Sequence, residues 1–331
     1  MALLEVRDLE VDFPLGRTTL QAIHGVSFDL DKGERLGIVG ESGAGKSVAA
    51  FSILNLIAKP GRISGGNVVF DGNDLAHIST AEMQHIRGNR ISMIFQDPMM
   101  TLNPVLTIGT QMVECLHAHM EISDADAKRI AIEKLREVKI PSPEERFDNY
   151  PHQLSGGMRQ RVVIATALVT NPAIIIADEP TTALDVTIQA EILALMLDLC
   201  RNHGVALMLI THDLAVVSQV TQRIVVMYAG RVVEQGPTQD IIADARHPYT
   251  RGLIKALPQQ NRPGARLNQI RGAMPTLDDI PKGCTFNPRC DFADALCLEQ
   301  EPVLCDMGTH KVACHHAERI VEQLRDGGGN E

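Results

Sequence analysis

Residues 40–47 read Gly-Glu-Ser-Gly-Ala-Gly-Lys-Ser and fit the spacing G-x-x-x-x-G-K-S. Glycines at such positions let the backbone curl until several N–H groups face one phosphate chain, and a helix beginning there adds positive potential. Lys46 can then reach the β- and γ-phosphates, and the Ser47 hydroxyl can ligate Mg²⁺. Gly40, Glu41, Ser42, Gly43, Ala44, Gly45, Lys46 and Ser47 are therefore candidate ligands of a nucleoside triphosphate. About 130 residues further on, the apolar run AIIIA ends in Asp178 and Glu179. Asp178 can hold Mg²⁺, and Glu179 can polarise a water that attacks the γ-phosphate. A strand ending in two acids is by itself often only a solvated edge. Its place after the glycine loop makes the two motifs one site.

A second chemistry gathers near the other end. Five of the seven cysteines, Cys284, Cys290, Cys297, Cys305 and Cys314, fall in the last fifth of the chain. Four thiolates suit an iron–sulfur cluster or a structural zinc. The x5 and x6 gaps between the first three exceed the short C-x₂₋₄-C pairs usual for zinc. The N-terminus MALLEVRDLE has no basic region followed by an apolar core, and no apolar run approaches the roughly 18 residues that span a bilayer. The expectation is a cytoplasmic chain, in which stable disulfides are disfavoured.

The elements that must position these groups alternate. Short β-rich runs recur as GVSFDL, RLGIV, GNVVF, RISMIF, AIIIA, VALMLI and RIVVMYAGRVVEQG. Between several of them lie helix-length segments such as KSVAAFSILNLIA and VTIQAEILALMLDLC. This alternation predicts an α/β fold with a largely parallel sheet, whose ligands gather at the C-terminal ends of the strands. The glycine loop and Asp178 both follow strand-like runs. The stretch from about Asp97 to Gln153 lacks strand patterns, and TIGTQMVECLHAHM and SDADAKRIAIEKLREVKI carry apolar residues at helical spacing. It reads as a helical subdomain inserted into the α/β core. After about Gly236 come HPYTRGLIKALP, the Pro- and Gly-punctuated NRPGARLNQIRGAMP, a cysteine segment over 283–316, and DGGGNE, which is expected to be disordered.

Composition narrows the function class. The 331 residues are 44% hydrophobic and 22% charged, as expected of a globular chain, with 31 basic against 41 acidic residues and a net charge of −10. That balance argues against a broad nucleic-acid footprint.

Further motifs carry a family resemblance. LSGGM at residues 154–158 precedes a helix-like run, TTALD follows Glu179, LITHD places His212 after a strand, and IFQDP places Gln96 before the helical insertion. In order and spacing these resemble the Walker A, Q-loop, signature, Walker B, D-loop and H-loop of an ABC-transporter ATPase, over residues 1–236. The resemblance implies catalytic roles for Glu179, His212 and Gln96, with Mg²⁺ held by Ser47, Gln96 and Asp178. It also implies two ATPase domains facing head to tail, so that Ser155, Gly156, Gly157 and Asp185 serve the nucleotide of a partner. The adenine platform, usually a tyrosine, falls on Phe13, and Met158 stands where the signature usually has glutamine.

Residues 237–331 resemble the C-terminal extension of oligopeptide, dipeptide and nickel importers, most recognisably in HPYT at residues 247–250. QDPMMTLNP and YPHQLSGGM also read as this subfamily. The resemblance implies a [4Fe–4S] cluster on Cys284, Cys290, Cys297 and Cys314, with Zn²⁺ as the alternative and Cys305 able to stand in for Cys314. It further implies a second, non-identical ATPase chain, two membrane permease subunits, a solute-binding protein upstream, and a peripheral place on the cytoplasmic face of the inner membrane. Peptides are the expected cargo; nickel, glutathione or a sugar is the alternative. A soluble ABC ATPase acting on nucleic acid or the ribosome is the rival from another class, disfavoured by the single cassette and the acidic balance. A third reading makes the chain mainly a metal or redox sensor.

Overall fold

Valine- and isoleucine-rich runs become strands in the computed structural model, which describes residues 2–182, 184–257 and 268–321. The DGGGNE terminus lies outside the described residues, as does the first part of the stretch beginning at Asn261. The chain divides into two compact units, each assembled from separate stretches.

One unit gathers the described residues of Leu3–Asp29, Arg35–Ala76 and Ile210–Glu331. Strand Leu4–Leu15 pairs antiparallel with Arg62–Phe70, in a register that sets Leu4 opposite Phe70 and Val6 opposite Val68. Thr18–Leu30 and Asn73–Asp74 complete this four-stranded sheet. GVSFDL and GNVVF are strands as their composition predicts, but GNVVF pairs antiparallel and not within the expected parallel sheet. In the first strand Leu4 and Val6, then Leu9 and Val11, are buried at alternate positions, the register shift between Arg7 and Glu10 offsetting the alternation by one residue, a half-buried pattern that suits an antiparallel sheet. The parallel pairing lies elsewhere in the unit. Arg35–Val39 runs parallel to Arg223–Tyr228, which turns through Ala229 and Gly230 into the antiparallel Arg231–Pro237. That strand pairs in turn with Lys311–Val312, and this with Cys305–Asp306, so the C-terminal region joins the sheet edge.

Helix Lys46–Ile53 follows the glycine loop and is shorter than the apolar run suggested. Asn55 adopts φ 49°, a left-handed conformation that asparagine tolerates and that a helix cannot continue through. The core of this unit includes Val39, Leu214, Ile224, Val226, Tyr228, Tyr249 and Phe286. The chain has only three tyrosines and no tryptophan. Two of those tyrosines meet here with Phe286, their ring centroids 4.7, 5.2 and 5.5 Å apart in edge or tilted arrangements.

The other unit holds Leu30–Glu34 and His77–Leu209. Ile91–Ile94 pairs parallel with Ile174–Asp178, and the Ala206 N–H donates to the Ala173 oxygen at the start of strand Ala206–Thr211. Between Asp97 and Gln153 the described elements are all helical: Pro98–Thr101, Ile108–His117, Asp124–Glu137, Pro143–Arg146 and a 3₁₀ turn at Pro151–Gln153. Ser123 caps the third of these by accepting the Asp126 N–H at 3.2 Å, with Asp124 and Asp126 in the first turn and Lys134 and Arg136 in the last, matching the helix dipole. Buried Ile108, Met112 and Leu116, spaced four apart, pack toward buried Ala127, Ala131 and Leu135. Helices Gly156–Leu168 and Val186–His203 complete the unit. Among the described residues, no helix is long and apolar enough to cross a membrane.

Candidate functional site

The glycine loop leaves strand Arg35–Val39 and closes onto helix Lys46–Ile53. A Cβ at Gly40 would lie 2.3 Å from the Met227 carbonyl oxygen, so no side chain fits there. Gly45 is the helix N-cap at φ 97°, a left-handed value that suits glycine. The hairpin turn buttresses the loop, because the Gly230 N–H donates to the Ala44 oxygen at 3.0 Å. Lys46 is 6% exposed and its Nζ donates to the carbonyl oxygens of Gly40 at 2.8 Å and Glu41 at 3.0 Å. The ammonium is thus held within the loop that would receive phosphates. Phe13 is half-buried with its ring edge against Gly61, where an added Cβ would lie 2.6 Å from the ring. His212 belongs to the same unit, directly after strand Ala206–Thr211. Asp213 then caps the next helix by accepting the Ala215 N–H at 2.8 Å.

The other unit carries the acids. Strand Ile174–Asp178 is buried throughout and leaves Asp178 6% exposed at its C-terminal end. Glu179 adopts φ 45°. Its Oε2 accepts from Gln96 Nε2 at 3.2 Å and from the Thr182 hydroxyl at 2.9 Å. Two residues singled out 83 positions apart thus share one hydrogen bond. Thr182, which the sequence reading did not single out, orients the same carboxylate. Ser155 caps helix Gly156–Leu168, its hydroxyl accepting the Met158 N–H at 3.4 Å. Gly156 and Gly157 therefore occupy the first turn, where backbone N–H groups lack intrahelical partners. Asp185 likewise caps Val186–His203 through the Ile188 N–H at 3.0 Å.

Four cysteines of the C-terminal region lie near enough to influence one another. Burial pushes the Cys314 thiol up to about 12, and the neighbouring Cys284, Cys290 and Cys297 raise it further against a backbone N–H bond that lowers it. Burial likewise pushes Cys290 up to about 11, again with Cys284 and Cys297 adding to the effect. The Cys284 N–H donates to the Cys297 oxygen at 2.8 Å, which fixes the first and third of the set. Cys305 is exposed on strand Cys305–Asp306 and is not among the groups that shift Cys314. Among the described residues, the group of His, Cys, Asp or Glu ligand atoms within 4.8 Å of one another is Asp294, Cys297 and His316. Asp294 and His316 gave no sequence signal, since they stand 22 residues apart without a ligand motif.

The chain matches the family model of ABC transporters over residues 23–182, and that of the oligopeptide/dipeptide transporter C-terminal region over residues 233–297. A probable peptide ABC transporter ATP-binding protein of Sinorhizobium fredii, y4tR, is 50% identical over 322 residues, covering 96% of each chain. The dipeptide transport ATP-binding protein DppD of Haemophilus influenzae is 47% identical over 315 residues, 95% of this chain and 96% of the relative. Among solved structures, the dimeric ATP-binding cassette MJ0796, in a post-hydrolysis state bound to ADP and Pi, superposes with a TM-score of 0.64 at 29% identity. It covers 71% of this chain and 98% of its own. A phosphate loop, an acid pair after a buried strand and full-length likeness to such proteins lead to one conclusion: the chain belongs to the ATPases of ABC transporters, in the group that carries the oligopeptide/dipeptide transporter C-terminal region.

Proposed function

We propose that the chain is the ATP-hydrolysing subunit that powers import of di- and oligopeptides, held peripherally at the cytoplasmic face of the inner membrane. The observation that carries this reading is the end-to-end likeness to peptide and dipeptide transport ATP-binding proteins, which spans cassette and C-terminal region together. Residues 1–236 form the nucleotide-binding domain, with a helical insertion at about 97–153, and 237–331 form the extension. Residues 40–47 bind the phosphates, with Phe13 against the adenine. Ser47, Gln96 and Asp178 hold Mg²⁺, Glu179 activates water, and His212 meets the γ-phosphate. Ser155, Gly156, Gly157 and Asp185 serve the nucleotide of a second, non-identical ATPase chain. Two permease subunits dock near the start of the helical insertion, where Met99, Met100 and Val105 are 50%, 85% and 75% exposed. Exposed apolar side chains gathered in one segment favour a partner surface.

Cys284, Cys290, Cys297 and Cys314 would hold a [4Fe–4S] cluster. Cys284, Cys290 and Cys297 all act on the Cys314 thiol and Cys305 is exposed, which supports that donor set over one that uses Cys305. Bound, the cluster would supply a structural staple for a loop-rich region. The chain's own contribution is four thiols that influence one another, Cys297 buried and Cys284, Cys290 and Cys314 partly so.

Uptake of a labelled dipeptide by cells lacking this gene tests the reading. Uptake should return with the wild-type gene and stay absent with Glu179→Gln. Restored nickel, glutathione or sugar uptake without peptide uptake would reassign the cargo.

A further inference from the structure

The phosphate loop is gripped from outside by the C-terminal region. Glu41, the second residue of the loop, donates its backbone N–H to the Tyr249 hydroxyl oxygen at 2.7 Å, and Tyr249 is fully buried. The Glu41 carboxylate meets Arg289 in a two-point pair, Nη1 to Oε2 at 2.6 Å and Nη2 to Oε1 at 3.0 Å. The Arg289 side chain is only 4% exposed, while Glu41 is about a third exposed at 32%. The other donors of Arg289 are also used. Nε donates to the Arg271 oxygen at 2.8 Å, Nη1 to the Tyr228 hydroxyl at 3.4 Å and Nη2 to the Gly272 oxygen at 3.4 Å. The guanidinium lies 5.7 Å from the Tyr228 ring and 5.9 Å from that of Phe286. A fork this fully bound has one orientation, and it sets the Glu41 side chain with it.

The charge arithmetic gives the grip a purpose. Glu41 places a carboxylate in the same eight-residue loop that must receive a polyanion. Unpaired, it would repel the phosphates at short range in a partly desolvated site. Lys46 Nζ donates to the carbonyl oxygens of Gly40 and Glu41, whereas the Glu41 carboxylate is met by Arg289. Arg289, arriving from 248 residues away in sequence, supplies a positive charge to that carboxylate from outside the eight-residue loop.

We infer that Arg289 is a positioning residue of the nucleotide site: by pairing with Glu41, and with Tyr249 holding the Glu41 N–H, it fixes and neutralises the phosphate loop and so sets affinity for ATP. The inference rests on residues 40–47 being the ATP site, and it gives the C-terminal extension a part in nucleotide binding.

The test measures MgATP and MgADP affinity of the full-length chain by titration calorimetry, with thermal midpoints as a check on folding. Arg289→Ala should weaken MgATP binding about tenfold by leaving a carboxylate unpaired beside the phosphates, and MgADP, with one negative charge fewer, by a smaller factor. Arg289→Lys should recover part of the loss, because it restores charge but not the two-point geometry. Adding Glu41→Gln to Arg289→Ala should bring MgATP affinity back to within about twofold of wild type, since the repelling charge is gone. If Arg289→Ala fails to fold, Arg289→Lys and the pair Glu41→Gln with Arg289→Met carry the same comparison. Wild-type MgATP affinity in Arg289→Ala, alongside lost binding in Lys46→Ala, would overturn the inference and leave the ATP site standing. Equal losses for MgATP and MgADP that Glu41→Gln does not relieve would overturn it as well.

Discussion

Glu179 follows a fully buried strand and adopts φ 45°, a conformation uncommon for a residue with a side chain and kept only where neighbours hold it. Gln96 and Thr182 are those neighbours, and both grip the same carboxylate oxygen. The two contacts orient the carboxylate that is proposed to act as the base. Glu179→Gln should therefore leave MgATP affinity within about twofold of wild type while lowering turnover by about 100-fold or more, the scale of losing a general base. Lys46→Ala should do the reverse and abolish measurable binding. Equilibrium binding and single-turnover hydrolysis separate the two, and wild-type turnover in Glu179→Gln would remove it from the catalytic role. At this scale the sequence was legible wherever a motif is contiguous. Residues 40–47 and 178–179 announce themselves by spacing. Thr182 and Arg289 do not, because each acts through a contact that only the folded chain creates.

Among the elements, helix Pro248–Lys255 shows how a recognisable motif can hide its physics. Its N-cap, His247, is 1% exposed, and its Nδ1 accepts the Tyr249 N–H at 3.1 Å, so that nitrogen must be unprotonated. The backbone N–H groups of Arg246 and His247 donate to Glu234, itself fully buried, at 2.7 and 3.2 Å. Burial lowers the His247 pKa to about 4, against a smaller upward pull from Glu234. The unfolded chain, with an ordinary histidine near 6.5, binds more protons between those values. Stability contributed by neutral His247 is thus complete above about pH 6.5 and declines as pH falls toward about 4, by at most about 3 kcal/mol. His247→Asn keeps a cap-competent oxygen and loses the titration, so its unfolding midpoint should depend less on pH over that window. Equal slopes for variant and wild type in denaturant melts would count against this account. HPYT was visible in the sequence, but Glu234 lies 13 residues upstream in a strand that reads as ordinary sheet. The antiparallel sheet was missed for a related reason: alternation in Leu4–Leu15 shows one buried face and not which strand pairs with it.

The cysteine segment is an element with its own test. Cys314 is partly buried among three other thiols and Cys305 is exposed. Cys314→Ser should remove most of the iron from anaerobically purified protein, which would otherwise carry about four irons per chain, and Cys305→Ser should remove none. One zinc per chain and no iron would replace the cluster with the alternative metal.

For the molecule as a whole, acidic net charge, strand–helix alternation and motif order made the cassette readable before any coordinates. What stayed hidden is its gathering into two units from discontinuous stretches, because contact between residues far apart in sequence leaves no periodic trace. The exposed Met99, Met100 and Val105 belong to this scale, since the docking proposed for them involves partners outside the chain. Met100→Asp should reduce recovery of the chain with its permease subunits in pull-downs by about tenfold while leaving MgATP affinity unchanged, because a charge replaces an apolar contact. Undiminished recovery would place the docking surface elsewhere.

The central claim is that ATP hydrolysis at this chain drives peptide import. The most direct measurement reconstitutes the chain with its partner ATPase and permease subunits in proteoliposomes, and follows phosphate release and labelled dipeptide accumulation in the same sample. Hydrolysis should be slow for the isolated chain and rise on assembly with peptide-loaded binding protein. Peptide should accumulate in step with phosphate, and Glu179→Gln should stop both. Full hydrolysis by the isolated chain at every concentration, or peptide accumulation that persists in Glu179→Gln, would contradict the account.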